Sequence, residues 1–330
     1  MQFTLIICTY RRAQSLLNLM NSIKQQSLYP DEILIIDGSS DDYSKSMLAE
    51  NDFENLTYYK VEPEYRGLTK QRNFGLAQVD SKSDVIAFLD DDTVLLPDYF
   101  KELIDTFVGD SQIVGVGGVA VNENKWFRDE PNKIYNKNRF FQFEGYVYKE
   151  GQRNVVRNFA GLQSHLGPGR MPNYSHGKTC GFPLTGKTHE VDLLIGMSFA
   201  FRKRVFESIG FSTFFEGYGL YEDADFSIRA LEFGKNVINT KVQLNHYHHP
   251  SGRPNQYQYG KMVVRNGWYV WRVKNPNPSV QSKVKWHAIT LLLTAIRLTN
   301  IVTTSKRKEA FTESIGRIMG WFSLWFVKPQ

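Results

Sequence analysis

The stretch VIAFLDDDTVLLP, residues 85–97, runs five apolar residues into three consecutive aspartates. A short apolar run bounded in this way is typical of a buried parallel strand, with the acidic residues at its carboxyl edge. Three neighbouring carboxylates repel one another, and the loss of hydration adds to the cost. The stretch therefore predicts a strand end that binds a cation, unless the aspartates form only a solvated acidic loop.

The three aspartates should not all face the same side. In an extended backbone Asp90 and Asp92 point to one side and Asp91 to the other. Magnesium, manganese and calcium all prefer carboxylate oxygens. We therefore expect a metal site beside Asp90 and Asp92, and a hydrogen bond from a ligand hydroxyl group to Asp91.

Strands alternate with helices over the first 121 residues. The predicted strands cover residues 3–10, 32–37, 56–62, 84–90 and 113–121, and the predicted helices cover 13–26, 41–51, 67–78 and 97–108. This alternation indicates an α/β fold with a doubly wound, mostly parallel sheet. Ligands of such sheets bind at the carboxyl ends of the strands.

Polar residues occur at two further strand ends. Thr9, Tyr10 and Arg12 follow the first strand, and Asp37 ends the second. The alternative is that these residues bind no ligand. Thr9 and Tyr10 would then form only a turn and a packed aromatic ring, and Arg12 would be a solvated residue at the start of a helix. No Gly-x-Gly-x-x-Gly motif follows the first strand, so the dinucleotide fingerprint is missing.

The chain is less regular over residues 122–189, where a long Gly-rich segment predicts a loop that acts as a lid or binding segment. A strand around Gly196 is predicted over residues 191–200. Glu222, Asp223 and Asp225 then begin a helix that ends at Gly234. Acidic groups in a first helical turn suit the helix dipole, but a carboxylate held there could also serve as a general base.

Histidines close the last predicted strand of this part. The strand NVINTKVQL ends in NHYHHPSGR, which contains His246, His248 and Arg253. A neutral imidazole can complete an oxygen-rich metal site, and a guanidinium can bind phosphate through two hydrogen bonds. We expect one histidine to be a ligand and Arg253 to contact phosphate.

The distribution of charge separates the end of the chain from the rest. The net charge is +6, and residues beyond 240 contain 14 Lys and Arg against two Glu, so residues 1–240 carry −6. A basic tail suits an anionic membrane surface or a phosphorylated ligand. Nucleic acid is not an expected partner, because no recognised binding motif accompanies the charge.

The basic tail is also aromatic and helical in pattern. A transmembrane span needs about 20 uninterrupted apolar residues, and the longest run here contains His287 and Arg297. We therefore expect helices that lie in a membrane interface, with Trp321, Trp325 and Lys328 at the headgroup boundary. The alternative is helices packed on the preceding part of the chain or across a homodimer.

Six segments stand in order along residues 3 to about 250: IICTYRR, IIDGSSDD, LTKQRNFGL, FLDDDTVLLPDYF, EVDLLIGMSFAFRK and GYGLYEDADFSIRAL. In sequence and order they resemble the family 2 glycosyltransferases of the GT-A fold, which transfer a sugar from a nucleotide-diphosphate donor. The resemblance implies a Rossmann-like catalytic domain over residues 1–250, with a nucleotide-binding half over 1–121, an acceptor half over 122–250, and a helical tail over 251–330.

The resemblance also implies the nucleotide site. Thr9, Tyr10 and Asp37 would line the base and ribose pocket beside Arg12, and Arg72 would reach the base or the phosphates. Asp90 and Asp91 would hold the ribose region. One departure is that many members have two aspartates where this chain has Asp37 and Gly38, which removes a base contact. UDP- or dTDP-sugars are the favoured donors.

The same resemblance implies the metal and the catalytic residues. Asp92 would bind Mn²⁺ or Mg²⁺ bridging the diphosphate, with Asp90 nearby and His246 or His248 completing the contacts. Asp223 would be the catalytic base, with Glu222 beside it in the catalytic pair. Inversion by a single displacement is implied.

The sequence thus predicts a metal-dependent inverting glycosyltransferase acting on a lipid-linked or polysaccharide acceptor in cell-surface glycan synthesis. The apolar start of the chain, without a basic leader, predicts a cytoplasmic protein, and its tail predicts peripheral association with the cytoplasmic membrane face. A sugar-phosphate nucleotidylyltransferase is an alternative, although it needs a Gly-rich loop after the first strand. A non-catalytic scaffold that binds sugar nucleotides or membranes is another.

Overall fold

The structure is a computed structural model that describes residues 1–215, 217–249 and 254–326. The chain forms two compact units. The first comprises Met1–Asn124 and Leu184–Gly252, and the second comprises Lys125–Pro183 and Arg253–Gln330. Residues 125–183 therefore belong with the helical end of the chain rather than with the sheet, although the sequence groups them with the predicted acceptor half.

The described residues form twelve strands and ten α-helices. The strands are β1 Phe3–Thr9, β2 Glu32–Asp37, β3 Leu56–Lys60, β4 Val85–Asp90, β5 Thr93–Leu95, β6 Ile113–Ala120, β7 Trp126–Arg128, β8 Phe140–Phe143, β9 Tyr146–Lys149, β10 Thr188–Val191, β11 Ser198–Arg202 and β12 Lys235–His246. The helices are α1 Ala13–Lys24, α2 Tyr43–Ala49, α3 Leu68–Leu76, α4 Tyr99–Gly109, α5 Gln152–Phe159, α6 Lys203–Phe206, α7 Glu222–Ala230, α8 Gln256–Lys274, α9 Val280–Thr303 and α10 Arg307–Ser323.

A nine-stranded sheet organises the first unit. Its order is β10-β12-β6-β11-β4-β1-β2-β3, with β5 paired to β12. β3, β2, β1 and β4 are mutually parallel, β6 and β12 are parallel, and β11 lies antiparallel between β4 and β6. The predicted α/β fold with a large, mostly parallel sheet is confirmed.

The central strands are apolar on both faces because helices cover both sides of a parallel sheet. Leu5, Ile7, Ile33 and Phe100 are among the core residues that are completely buried. Each such side chain stabilises the fold by roughly 1.5–3 kcal/mol. This core fixes the strands whose polar ends form the site.

One local prediction is wrong. The strand predicted over residues 191–200 is two strands, β10 and β11, separated by a loop that contains Gly196. The break arises because β10 pairs with β12, whereas β11 pairs with β4 and β6. The less regular part of the sequence, residues 122–189, contains β7, β8 and β9, which form an antiparallel sheet. The predicted loop, residues 167–187, is largely irregular.

The second unit is dominated by α8, α9 and α10. Two glycines let α8 and α10 approach closely, because a Cβ atom at Gly260 would lie 2.1 Å from Glu313 O, and one at Gly316 would lie 2.0 Å from Tyr257 O. Within the described part of the chain, α9 is the one helix long and apolar enough to cross a membrane. Length and composition alone also admit a packed helix, so this feature does not distinguish the alternatives.

Candidate functional site

The ends of three neighbouring strands meet at one edge of the sheet in the first unit. Parallel register places Cys8 beside Asp90 and Thr9 beside Asp37. The hydroxyl group of Thr9 donates to Asp91 Oδ2 over 2.7 Å, and Arg12 Nη1 donates to Asp91 Oδ1 over 2.9 Å. The sequence placed these residues together correctly, since the carboxyl ends of parallel strands share an edge.

Asp91 and Asp92 share a partner, because Arg12 Nη1 also lies 3.6 Å from Asp92 Oδ2, so the predicted separation of Asp91 from the other two aspartates is incomplete. One ligand atom from each of Asp90, Asp92 and His246 falls within 4.8 Å of the others, which is a candidate metal centre. The strand pairing explains this, because β5 runs antiparallel to the end of β12 and sets Thr93 opposite His246. His246 Nε2 thereby lies 3.3 Å from Asp92 Oδ1.

The side chains of Asp90, Asp92 and His246 are suitable ligands for a divalent ion. Asp92 Oδ1 is buried, and His246 Nε2 lies 3.3 Å from it without forming a well-directed hydrogen bond. A buried carboxylate oxygen that is weakly paired in this way is costly, and a hard cation would reduce that cost. Two carboxylates and one imidazole are ligands that Mn²⁺ accepts.

The protonation of the triplet is uneven. Burial raises the pKa of Asp90 to about 6, although Arg72 opposes the shift. Burial likewise raises the pKa of Asp91 against the effect of Arg12. For Asp92, burial is outweighed by the His246 ring and the His249 N–H group, which lower its pKa to about 2. Asp92 is therefore the aspartate most firmly ionised and best suited to hold a cation.

Of the two predicted histidine ligands, the structure brings His246 to Asp92. Burial lowers the pKa of His246, but the Asp92 carboxylate more than compensates and raises it. The ring of His248 lies beside that of His246, with centroids 4.0 Å apart, but its Nε2 is 2.8 Å from Glu123 Oε1, the oxygen that His246 Nδ1 also contacts. Arg253, the predicted phosphate contact, lies outside the described residues.

Asp37 is fully buried in a network of protein hydrogen bonds. Its Oδ1 accepts from the Ser39 N–H group over 2.7 Å, and its Oδ2 accepts from the Tyr58 hydroxyl group over 2.9 Å. Tyr10, by contrast, is 44% exposed beyond β1, so its ring is accessible to a ligand.

Gln71 is a residue of this edge that the sequence analysis missed. Its side-chain amide donates to Thr9 O over 3.1 Å and to Ile36 O over 2.8 Å, so it ties the ends of β1 and β2 together. A Cβ atom at Gly38 would lie 3.2 Å from Gln71 Oε1. This tight contact gives a local reason for glycine where many family members have a second aspartate.

Arg72 is buried between two acidic groups. Its Nη1 donates to Glu222 in a short ion pair, its Nη2 donates to Gly196 O over 3.2 Å, and Nη2 lies 3.8 Å from Asp90 Oδ1. The guanidinium also lies over aromatic rings, those of Phe88, Phe199 and Phe211. Arg72 therefore links the aspartate triplet to the start of α7.

The two acids at the start of α7 have different surroundings. Burial raises the pKa of Glu222 to about 8 against the effect of Arg72, and its Oε2 has no hydrogen-bond partner within the described ranges. Asp223 is partly exposed, and its Oδ2 accepts from the Gly196 N–H group over 2.9 Å. Gly196 thus contacts both Arg72 and Asp223, and a Cβ atom there would lie within 3.4 Å of Glu222, Asp223 and Arg72.

Comparisons with known proteins concern the family and the fold of the chain. The family described as "Glycosyl transferase family 2" matches residues 4–165. The chain is 28% identical over 149 residues to "Glucosyl-dolichyl phosphate glucuronosyltransferase" of Haloferax volcanii, which covers 44% of each protein. It is 33% identical over 119 residues to "O-antigen chain rhamnosyltransferase RfbN" of Salmonella typhimurium, covering 36% of this chain and 37% of the relative. The chain thus spans less than half the length of these relatives.

A solved structure supports the fold over nearly the whole chain. This structure, "Mannosyltransferase PcManGT from Pyrobaculum calidifontis in complex with GDP-Man and Mn2+", superposes with a TM-score of 0.55 at 15% identity. The superposition covers 98% of this chain and 87% of that one. At this identity the likeness concerns the GT-A fold alone. Residues 4–165 therefore carry a glycosyltransferase family 2 domain, and the chain has the GT-A fold.

Proposed function

We propose that this protein is a metal-dependent inverting glycosyltransferase that moves a sugar from a nucleotide-diphosphate donor to a lipid-linked or polysaccharide acceptor. The observation that carries the proposal is the convergence of Asp90, Asp92 and His246 at one sheet edge, joined through Arg72 to the Glu222–Asp223 pair. The match of residues 4–165 to the glycosyltransferase family supports the reaction class.

The donor nucleotide would bind at the ends of β1, β2 and β4. The exposed ring of Tyr10 is the proposed contact for the base, and Thr9, Arg12 and Asp91 form a hydrogen-bonded group beside the ribose. Asp37 would act by holding the Ser39 turn. Arg72 is proposed to act on the nucleotide through its partner Asp90. UDP and dTDP remain the favoured nucleotides, and the fold relative with GDP-Man adds GDP to the candidates.

Asp92, Asp90 and His246 would hold a divalent ion, whereas His248, the alternative histidine of the sequence-based prediction, contacts Glu123 and is not part of this set. The imidazole favours Mn²⁺ over Mg²⁺, whose ligands are almost all oxygens. Such an ion, when bound, neutralises negative charge that develops on the departing diphosphate. The mannosyltransferase that shares the fold is described as a complex with Mn²⁺, which supports the same choice of ion here.

Asp223 is the proposed catalytic base. Two backbone N–H groups, those of Gly196 and Ala224, fix the orientation of its carboxylate. The carboxylate would take the proton of the acceptor hydroxyl while that oxygen attacks the anomeric carbon. The bond from the anomeric carbon to the diphosphate oxygen breaks as the new bond forms, so the configuration inverts. Glu222 would keep Arg72 in place rather than accept this proton.

We also propose that the second unit docks on an anionic membrane at the cytoplasmic face. One face of α10 exposes Phe311, Ile315, Met319 and Phe322, each between 36% and 52% exposed. Exposed cations begin the same helix, at residues 306–308. Apolar side chains beside basic ones match a surface of anionic lipids. The names of the two curated relatives, which contain "dolichyl phosphate" and "O-antigen chain", support a lipid-linked or glycan acceptor.

The enzymatic proposal is tested with a panel of UDP-, dTDP- and GDP-sugars in the presence of Mn²⁺ or Mg²⁺. Sugar transfer or slow donor hydrolysis is expected for the wild type with at least one donor. Asp92→Asn should abolish it, whereas Asp105→Asn, an exposed partner of Lys101, should leave it unchanged. Full activity of Asp92→Asn would refute the metal role, and donor binding without turnover would favour the non-catalytic scaffold.

The membrane proposal is tested by sedimentation with vesicles of phosphatidylcholine, with and without phosphatidylglycerol. Binding to the vesicles should require the anionic lipid. The double variant Phe311→Ser with Phe322→Ser should weaken vesicle binding at least about tenfold, because partial burial of two phenyl groups contributes more than ~1.4 kcal/mol to the binding free energy. Tyr43→Ser, which removes an exposed ring in the first unit, is the control. A soluble homodimer that ignores vesicles would support the packed-helix alternative.

A further inference from the structure

The short 3₁₀ turn after β6, Val121–Glu123, contacts His246 through two consecutive side chains. The first contact is to the backbone. Asn122 Nδ2 donates to His246 O over 2.8 Å, and the His246 N–H group donates to Asn122 Oδ1 over 3.0 Å. A single amide side chain therefore satisfies both backbone groups of His246 and fixes the end of β12 at this residue.

The second contact is to the ring. Glu123 Oε1 lies 3.0 Å from His246 Nδ1, whereas Nε2 on the opposite edge of the ring lies 3.3 Å from Asp92 Oδ1. The imidazole thus spans the gap between Glu123 and the candidate metal centre. Only 11% of its side chain is exposed, so it has little freedom to choose another orientation.

A carboxylate that accepts a hydrogen bond from one ring nitrogen decides what the other nitrogen can do. When Nδ1 carries the proton and donates it to Glu123, the lone pair of Nε2 is free to bind a cation. Metal-binding histidines commonly have such a carboxylate partner, which fixes the tautomer and raises the basicity of the ring. Glu123 stands in this relation to His246.

We propose that Asn122 and Glu123 are positioning residues that present Nε2 of His246 to a divalent ion held with Asp90 and Asp92. The inference rests on the proposed metal dependence and adds two residues to it. Neither residue was singled out by the sequence, because both lie far along the chain from the histidine that they hold.

A competing arrangement uses the same side chains. Ligand atoms of Glu123, His246 and His248 also fall within 4.8 Å of one another, so Glu123 could be a ligand of an ion bound outside the aspartate centre. His248 distinguishes the two arrangements experimentally, because it belongs to the set with Glu123 and His246 and not to the set with Asp90 and Asp92. A positioning role for Glu123 leaves His248 dispensable for metal binding.

The test is Mn²⁺ binding to the full chain without donor, followed by the electron paramagnetic resonance signal of free Mn²⁺. Glu123→Ala should weaken binding about 10–100-fold, the usual effect of losing such a partner. Glu123→Gln, which keeps a neutral acceptor, should lose less, and Asn122→Ala should also weaken binding. His248→Ala should bind as the wild type does, and thermal melting without metal shows whether each variant is folded.

Pulsed electron paramagnetic resonance gives a second measurement, which would not change if Glu123 had only a structural role. Bound Mn²⁺ in the wild type should show coupling to an imidazole ¹⁴N nucleus, which His246→Ala abolishes and Glu123→Ala reduces. The positioning role is overturned if folded Glu123→Ala binds Mn²⁺ with wild-type affinity while Asp92→Asn and His246→Ala both bind it weakly. In that case the proposed metal site itself still stands. Equal losses in His248→Ala and Glu123→Ala overturn it in favour of the competing set. Wild-type affinity in Asp92→Asn would instead overturn the proposed metal dependence.

Discussion

Buried carboxylates occur in both units, but they are compensated differently. In the second unit Glu313 is 4% exposed, and each of its oxygens meets a guanidinium: Arg317 Nη2 lies 2.8 Å from Oε1, and Arg297 Nε lies 2.7 Å from Oε2. In the first unit Asp92 Oδ1 and Glu222 Oε2 are buried without a hydrogen bond from the described residues. Both oxygens of Glu313 thus have a cationic partner within the second unit, whereas Asp92 and Glu222 each have one oxygen without a well-directed hydrogen bond.

The difference separates structural from functional acids. Burying a charge costs several kcal/mol unless partners compensate it, so a fully paired carboxylate such as Glu313 fixes α9 and α10 to each other. A buried oxygen without a partner is costly, and a bound ion or a proton can supply the missing partner. Asp92 suits an ion and Glu222 a proton, which is why the first unit carries the proposed chemistry.

The largest expected effect concerns the partly exposed acid of the first unit. Asp223→Asn should lower kcat about 10²–10⁴-fold, the usual contribution of a general base. Donor binding should be unchanged, because Asn still accepts from the Gly196 N–H group. Steady-state kinetics with donor affinity measured in parallel checks this. A rise in KM at unchanged kcat would assign Asp223 to acceptor binding instead.

The paired acid of the second unit should matter for stability. Glu313→Ala leaves two guanidinium groups without their partner and should lower the free energy of unfolding by about 3–5 kcal/mol. Glu309→Ala on the same helix breaks only an exposed pair with Lys306 and should cost less than about 1 kcal/mol. Urea denaturation measures both. Equal losses in the two variants would remove the contrast between paired and open carboxylates.

A smaller effect should appear in the pH dependence of stability. The folded-state pKa of Glu222 is raised from 4.5 to about 8, so its contribution is fully present below pH 4.5 and is lost as the pH rises through 8. Glu222→Gln removes this titration and should melt with a flatter pH profile than the wild type over that interval. Glu207→Gln, an exposed acid, should follow the wild type. Parallel profiles for wild type and Glu222→Gln would contradict the burial argument.

The sequence predicted the parts of the site that depend on local pattern. Asp90, Asp92 and Thr9 follow apolar strands directly, so a parallel sheet brings them together whatever the loops do. His246 was also within reach, because it closes the last predicted strand. These residues share one rule, that the carboxyl ends of parallel strands lie at one edge.

The rest depends on pairings between distant segments. The sequence contains no sign that Arg72 is buried among three phenylalanines, that Gln71 ties two strand ends, or that Glu123 faces His246. The break at Gly196 was missed because its two flanking segments are both apolar, and only the choice of partner strands divides them. Periodicity describes one element at a time, whereas these contacts each need two.

The proposed chemistry depends above all on Asp90, Asp92 and His246 forming one divalent-ion site at the carboxyl edge of the sheet. Anomalous diffraction from crystals grown with Mn²⁺ and UDP measures the position of such an ion without any assumption about its ligands. We expect one strong manganese peak within ligand distance of Asp92 and His246. A manganese ion ordered elsewhere in the first unit, with this edge empty, would contradict the proposal.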